Sequence, residues 1–322
     1  MPEDRAFFYC PKYAKLRGMS IIEVRDLYKS YGEVKAVRGV SFAVEKGEIF
    51  GILGPNGAGK TTTLEVLEGL NKADSGTVTI AGFDALKQTQ EVKHKIGVQL
   101  QSESFFDKLQ LVELLDLFAS FYNKKIEALG LLKKVDLLDK AYAYYKDMSG
   151  GQQRRFSIAI TLVNQPEILF LDEPTTGLDP QSRRYVWELI KQIRDSGTTV
   201  ILTTHYMEEA EVLCDRVAIM DHGVIIKTGT PKELISSLPV KNTISFAAEK
   251  YVAIGDLELL CGVKKAVREN GVYILETADP SATLYRLLQD AYDRKLDITD
   301  LHLHKPTLED VFIHYTGHAL RE

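Results

Sequence analysis

The stretch GPNGAGKTT, Gly54 to Thr62, holds the residue types that a phosphate group needs. It fits the G-x-x-x-x-G-K-[ST] spacing, follows the apolar run EIFGILG and precedes a helical pattern, which is where a phosphate-binding loop must sit. Gly54, Gly57 and Gly59 let the backbone N–H groups from Asn56 to Thr61 turn inward around phosphate oxygens, with Pro55, Ala58 and Thr62 completing the loop. Lys60 is expected to reach the β- and γ-phosphates, and the Thr61 hydroxyl to bind Mg²⁺. Farther along, ILFLDEP reads as a buried strand ending on Asp172, placed to hold Mg²⁺ through its water shell. Glu173 follows, placed to orient or deprotonate an attacking water. Together these residues point to hydrolysis of a nucleoside triphosphate.

DMSGGQQRR, Asp147 to Arg155, is a second candidate for anion binding. Ser149, Gly150 and Gly151 begin the helical pattern GQQRRFSIAITLV, so their donors and the positive end of the helix point the same way. No nucleophile-and-base pair lies inside the stretch. Arg154 and Arg155 fall on the second turn of that helix and read as scaffold, solvated or paired with acidic neighbours.

The elements that must position these residues have an α/β pattern. Alternating strands IIEVRDL and VSFAVEKG lead into EIFGILG, and a helix is expected from about Lys60. Apolar runs at EILFLDEP, TTVILTTH and DRVAIMDHG alternate with helical patterns such as SRRYVWELIKQIRD, the signature of a mostly parallel sheet covered by helices. An antiparallel β subdomain precedes this core, and a leucine-rich helical insertion interrupts it over about residues 102–160. The expected division is an irregular tail over 1–18, a nucleotide-binding domain over 19–237 and a small α+β carboxy-terminal domain over 238–322. In that last domain Asn270-Gly271 signals a hairpin, a helix is expected from Ser281, and Thr307 and Asp310 have capping-box spacing. Met19 stands beside Met1 as a candidate start.

Composition excludes several classes. Hydrophobic content of 45% and charged content of 26% are ordinary globular values, and a net charge of −5 gives no nucleic-acid surface. Cys10, Cys214 and Cys261 fit no disulfide framework or zinc spacing, which suits a reducing cytoplasm. No apolar run approaches the roughly 18 to 20 residues that span a bilayer.

Taken in order, the motifs over about residues 21–236 resemble the ATP-binding subunits of ABC transporters. MSGGQ, Met148 to Gln152, is similar to that family's signature motif, with Met148 where Leu is usual. The resemblance assigns Tyr31 of KSYG to adenine stacking, with Tyr28 as a weaker candidate. It makes Gln101, in preference to Gln99, the glutamine at the junction of core and helical insertion, where it joins Thr61 and Asp172 around Mg²⁺. Asp179 of TGLD falls in the subunit-contacting loop and His205 of TTH is the switch histidine.

The resemblance implies ATP as the nucleotide, and a signature (Ser149, Gly150, Gly151, Gln152) that covers the γ-phosphate held by a neighbouring subunit. Implied partners are a second copy or a related ATPase subunit and a separate membrane permease. The chain would then lie peripherally on the cytoplasmic face of the membrane. TTHYMEEAEVLCDRVAIMDHG and PTLEDVFIHYTGHALRE look like exporters of the drug-resistance or antibiotic-efflux group, with ABC-2-type permeases. The alternative from another class is a soluble regulatory module that binds ATP without hydrolysing it, and Glu173 and His205 argue against it.

Overall fold

The computed structural model describes residues 20–101, 105–239 and 242–317. The expected tail over 1–18 lies outside the described residues, as do residues 318–322 at the other end. The chain divides into two compact units between Pro231 and Lys232, ahead of the boundary expected near residue 238.

In the first unit, β1 (Ser20–Tyr31) and β2 (Val34–Glu45) form a long antiparallel pair. The chain then enters β3 (Ile49–Leu53), α1 (Lys60–Leu67), β4 (Ser75–Ile80), β5 (Phe83–Asp84), α2 (Thr89–Lys93) and β6 (Ile96–Gln99). Helices α3 (Leu111–Phe121), α4 (Ala128–Lys134) and α5 (Gly150–Thr161) follow. The core is completed by β7 (Ile168–Asp172), α6 (Pro180–Asp195), β8 (Thr199–Thr204), α7 (Met207–Leu213), β9 (Arg216–Asp221) and β10 (Val224–Gly229).

Two sheets result. One has the order β2-β1-β4-β5 and is antiparallel; the other has the order β10-β9-β3-β8-β7-β6. In the second, β9, β3, β8, β7 and β6 run parallel and only β10 is antiparallel. Every residue of β3, β7 and β8 is buried, as expected of strands covered on both faces. One core joins the sheets: Ile22, Val24 and Leu27 of β1 share a cluster with Phe50, Leu64, Phe170 and Ile201. Each such buried side chain contributes about 1.5–3 kcal/mol. Phe42 stacks on Phe50 with ring centroids 5.2 Å apart. This rigid strand bundle fixes the carboxyl ends of β3, β7 and β8, where the chemistry-bearing residues emerge.

The leucine-rich segment is less helical than its spacing suggests. It forms only α3, α4 and two 3₁₀ turns, Leu138–Lys140 and Tyr145–Asp147, because Asn123 and Asp136 adopt left-handed backbone and end their helices.

The second unit begins around α8 (Pro231–Ser236) and contains β11 (Asn242–Ala248), α9 (Ile254–Glu258), β12 (Val263–Glu269), β13 (Val272–Thr277), α10 (Pro280–Arg294), β14 (Ile298–His304) and α11 (Leu308–Thr316). Its antiparallel sheet has the order β12-β13-β11-β14. Asn270 (φ 50) and Gly271 (φ 88) make the tight turn between β12 and β13. Thr307 and Asp310 form the reciprocal cap of α11. Among the described residues, no helix is long and apolar enough to cross a membrane.

Candidate active site

β3 delivers the chain to the loop at Gly54, and α1 starts at Lys60 without a side-chain cap. Gly59, its N-cap, has φ 100, and a Cβ there would lie 2.3 Å from the Ala36 carbonyl oxygen. No other residue fits that backbone. Nζ of Lys60 donates to the carbonyl oxygens of Gly54 at 2.8 Å and Pro55 at 3.0 Å, and lies 3.5 Å from Glu173 Oε1. Burial pushes the Lys60 ammonium pKa down, with Glu173 and Asp172 opposing the shift.

Asp172 and Glu173 leave the end of β7 beside it. The Thr61 hydroxyl lies 3.3 Å from Asp172 Oδ1, and the Thr203 hydroxyl donates to the same oxygen. Thr61 and Asp172 thus set two hard oxygen donors side by side, a set that suits Mg²⁺. Glu173 is buried and has left-handed backbone, φ 47. Such a conformation costs about 1–3 kcal/mol and persists where the surroundings enforce it. Here the Glu173 N–H is held by the Thr203 hydroxyl at 3.0 Å and the Thr203 carbonyl at 3.2 Å. Its Oε2 accepts from the Thr176 hydroxyl at 3.0 Å, and its Oε1 meets His205 Nδ1 at 3.1 Å. Burial pushes the Glu173 carboxyl up, but the His205 hydrogen bond and the Lys60 charge outweigh it and hold it below its ordinary value.

A cavity of about 760 Å³ opens over this group, lined by the loop from Asn56 to Thr62, by Gln101 and Glu173, and by Tyr31. Tyr31 and Tyr28 are equally exposed, at 46%, but only Tyr31 lines the cavity. Its hydroxyl accepts from Asn71 at 3.0 Å. Gln101 also lines a second cavity of about 310 Å³, together with Gly150, Arg154 and Gly177. Gln99, by contrast, is fully buried at the end of β6.

The second anion candidate forms the start of α5. Ser149 is its N-cap: its hydroxyl accepts from the Gln152 N–H at 3.4 Å, and Gln152 Oε1 accepts from the Ser149 N–H at 2.9 Å. Arg155 turns away from this end, to Asp136 at 2.8 Å and to the Val135 carbonyl at 3.1 Å. Asp179 caps α6, accepting from the N–H groups of Gln181 and Ser182 at 3.0 Å each. Beside Gln101 the helical insertion carries an aromatic group in which Phe105 packs against Tyr145, Phe156 and Phe118 at 4.7, 5.6 and 5.8 Å. Next to it Phe106 and Phe121 are 62% and 65% exposed.

Several residues here escape a reading of the sequence. Thr203 and Thr176 hold Asp172 and Glu173, and Lys35, Arg38 and His222 line the cavity near Tyr31. They are scattered over separate elements with no spacing in common. The only local cue is that both threonines sit two or three residues from a motif residue, in TTH and PTTG.

Known proteins resemble this chain in both of its parts. The family described as ABC transporter matches residues 37–176, and a family described as ATP-binding protein DrrA1-3-like, C-terminal domain, matches residues 229–316. The chain is 37% identical to the linearmycin resistance ATP-binding protein LnrL of Bacillus subtilis (strain 168), over 94% of this chain and 100% of that one. It is 36% identical to the Nod factor export ATP-binding protein I of Ralstonia nicotianae, over 94% and 95%. A solved ATP-binding cassette, a dimer in a post-hydrolysis state with ADP and phosphate, superposes with a TM-score of 0.60 at 28% identity, covering 65% of this chain and 98% of its own.

Proposed function

The chain belongs to the ABC transporter ATP-binding family, and on that footing we propose that it hydrolyses ATP as a dimer and drives export through a separate membrane permease. The observation that carries this is the convergence of Lys60 and His205 on Glu173 Oε1, at 3.5 and 3.1 Å, beside Thr61 and Asp172. That set has a charge for the phosphates, a carboxylate for water and a histidine to meet the γ-phosphate.

ATP enters the cavity with its adenine on Tyr31 and its phosphates in the loop from Gly54 to Thr62. The N–H groups at the start of α1 and the Lys60 ammonium bind the β- and γ-phosphate oxygens. Thr61 and Asp172 would hold Mg²⁺, with Gln101 at its rim; when bound, Mg²⁺ neutralises phosphate charge. Glu173, kept ionised by His205 and Lys60, orients the attacking water and accepts its proton. His205 bridges Glu173 to the γ-phosphate. The open side of that phosphate is covered by Ser149, Gly150, Gly151 and Gln152 of a second subunit, whose α5 dipole favours the negative charge. Asp179 lies at the contact between subunits. Because ATP bridges the subunits and ADP cannot, hydrolysis releases the contact, and a chemical step becomes a movement.

The exposed Phe106 and Phe121 of the helical insertion suit docking of the permease's cytoplasmic helices, which would place the chain on the cytoplasmic face of the membrane. An ABC-2-type permease is the partner that fits, since the likeness to resistance and export subunits runs through the carboxy-terminal domain as well. The cargo class is a drug, antibiotic, lipid or similar molecule. The direct test is Glu173→Gln. The variant should keep ATP binding, lower the rate of phosphate release by about 10²- to 10⁴-fold and elute as a dimer with ATP. Hydrolysis at the wild-type rate would overturn the assignment.

A further inference from the structure

Glu209 of α7 is fully buried, and none of the roles above uses it. Its Oε1 accepts two hydrogen bonds, from the Thr175 hydroxyl at 2.7 Å and from the Trp187 indole N–H at 3.0 Å. Its Oε2 has no hydrogen-bond partner. Burial pushes the carboxyl pKa up, while the Thr175 hydroxyl, the Trp187 N–H and the Arg183 guanidinium pull it down. A carboxyl is an expensive group to bury. Packing α7 onto the core would be served as well by an apolar side chain, so the position asks for another explanation.

The partners supply it. Thr175 lies two residues beyond Glu173 on the segment that runs to Asp179. Glu209 itself stands four residues after His205, in the first turn of α7, whose N-cap is Tyr206. Trp187 belongs to α6, the helix that Asp179 caps. A second link runs parallel to the first: the Arg183 guanidinium of α6 sits 4.6 Å over the Tyr206 ring, and the Tyr206 ring lies 4.1 Å from that of His205. The bond of 3.1 Å between His205 and Glu173 therefore spans two segments; Glu209 stands on the helix that continues from the second and accepts from Thr175 of the first.

Resting on the ATPase reading above, we infer that Glu209 is a positioning residue: it ties the segment Glu173–Asp179 to the turn that carries His205, and so keeps the water-orienting carboxylate and the histidine in register. Glu209 touches no reacting atom. Its effect is geometric, and a small misplacement of reacting groups costs about 10²-fold in rate.

The test uses the purified full chain with Mg-ATP, single-turnover phosphate release and affinity for a fluorescent ATP analogue. Glu209→Ala should slow phosphate release by about 100-fold and leave analogue affinity within about twofold. Glu209→Gln, which keeps the Oε1 acceptor for Thr175 and Trp187, should restore most of the rate. In a His205→Ala background Glu209→Ala should cost nothing further, because residues acting through one step are non-additive. Should Glu209→Ala fail to fold, Thr175→Val removes a single bond at constant shape, and a loss of about tenfold is expected, again absent beside His205→Ala. An equal loss in both backgrounds, a loss of affinity at unchanged rate, or no loss at all would overturn the inference. A wild-type chain that releases no phosphate would overturn the ATPase reading instead, before any Glu209 variant is compared.

Discussion

Two helices in this molecule start from glycine-rich turns and end the comparison there. α1 begins on Gly59 with no side-chain cap, and its first residues, Lys60 to Thr62, line the cavity. α5 begins on Ser149, which with Gln152 closes a reciprocal cap over its own orphan donors. Charge differs as well. Lys60, Glu173 and His205 converge on the first, whereas at the second Arg155 is spent on Asp136 and Arg154 lines the cavity beside Gly150. One terminus is built to hold phosphate by itself. The other offers a hydroxyl, a dipole and one guanidinium nearby, enough to finish a site but not to found one. That division of labour is what a site shared between two subunits requires.

The sharpest way to break this comparison is to separate the two termini onto different chains. Lys60→Ala and Ser149→Arg should each lower the ATPase rate of the pure protein by about 100-fold or more. Mixed, they should recover activity, because one mixed dimer holds one undamaged pair of loop and signature. A mixture as inactive as its parents would mean that both termini serve the same chain, and the contrast would lose its meaning.

An effect on stability rather than rate sits at the far end of α1. Its C-cap, Glu68, is buried with Oε1 unpartnered, whereas α5 closes on Leu162. Burial, with the charges of Asp172 and Glu65, pushes the Glu68 carboxyl up to about 8. Below the ordinary 4.5 the carboxyl is protonated in folded and unfolded chains alike, and stability is unaffected. As pH rises from there toward 8 the unfolded chain ionises first, so wild-type stability falls and then levels off. Glu68→Gln should be free of that loss, and more stable than wild type by up to about 5 kcal/mol above pH 8. Urea unfolding at pH 5 and pH 9 measures it; a difference that does not grow with pH would count against the buried, neutral carboxyl.

The smallest effect belongs to the cap itself. Ser149→Ala should cost about 1 kcal/mol or less of stability, since the hydroxyl bond is long at 3.4 Å. Thermal unfolding without nucleotide reads this separately from the rate. A loss well above that range would make Ser149 a larger part of the fold than its geometry shows.

What was legible in the sequence follows from what is local. The loop from Gly54 to Thr62, the strand ending on Asp172 and the hairpin at Asn270-Gly271 are contiguous, so spacing along the chain is spacing in the molecule. The parallel core was legible for the same reason: its strands are buried on both faces and read as unbroken apolar runs. The segment between α3 and α5 was not, because left-handed residues at Asn123 and Asp136 break a pattern whose leucine spacing gives no sign of them. Nor were the hydroxyls of Thr203 and Thr176 or the carboxyl of Glu209. Their meaning arises only when β7, β8, α6 and α7 come together, and beyond the threonines' closeness to a motif residue nothing in their own neighbourhoods distinguishes them from structural threonines and surface glutamates.

Position 173 carries a consequence for how such a chain can change. Its backbone lies where glycine is comfortable and glutamate is strained, and two bonds from Thr203 hold it there. Selection for stability alone would favour replacing Glu173 with a residue that relaxes the turn, and on the proposed mechanism selection for work would forbid it. The two pressures oppose each other at a single residue. A lineage released from the need to hydrolyse ATP should lose this side chain early, and gain robustness as it does.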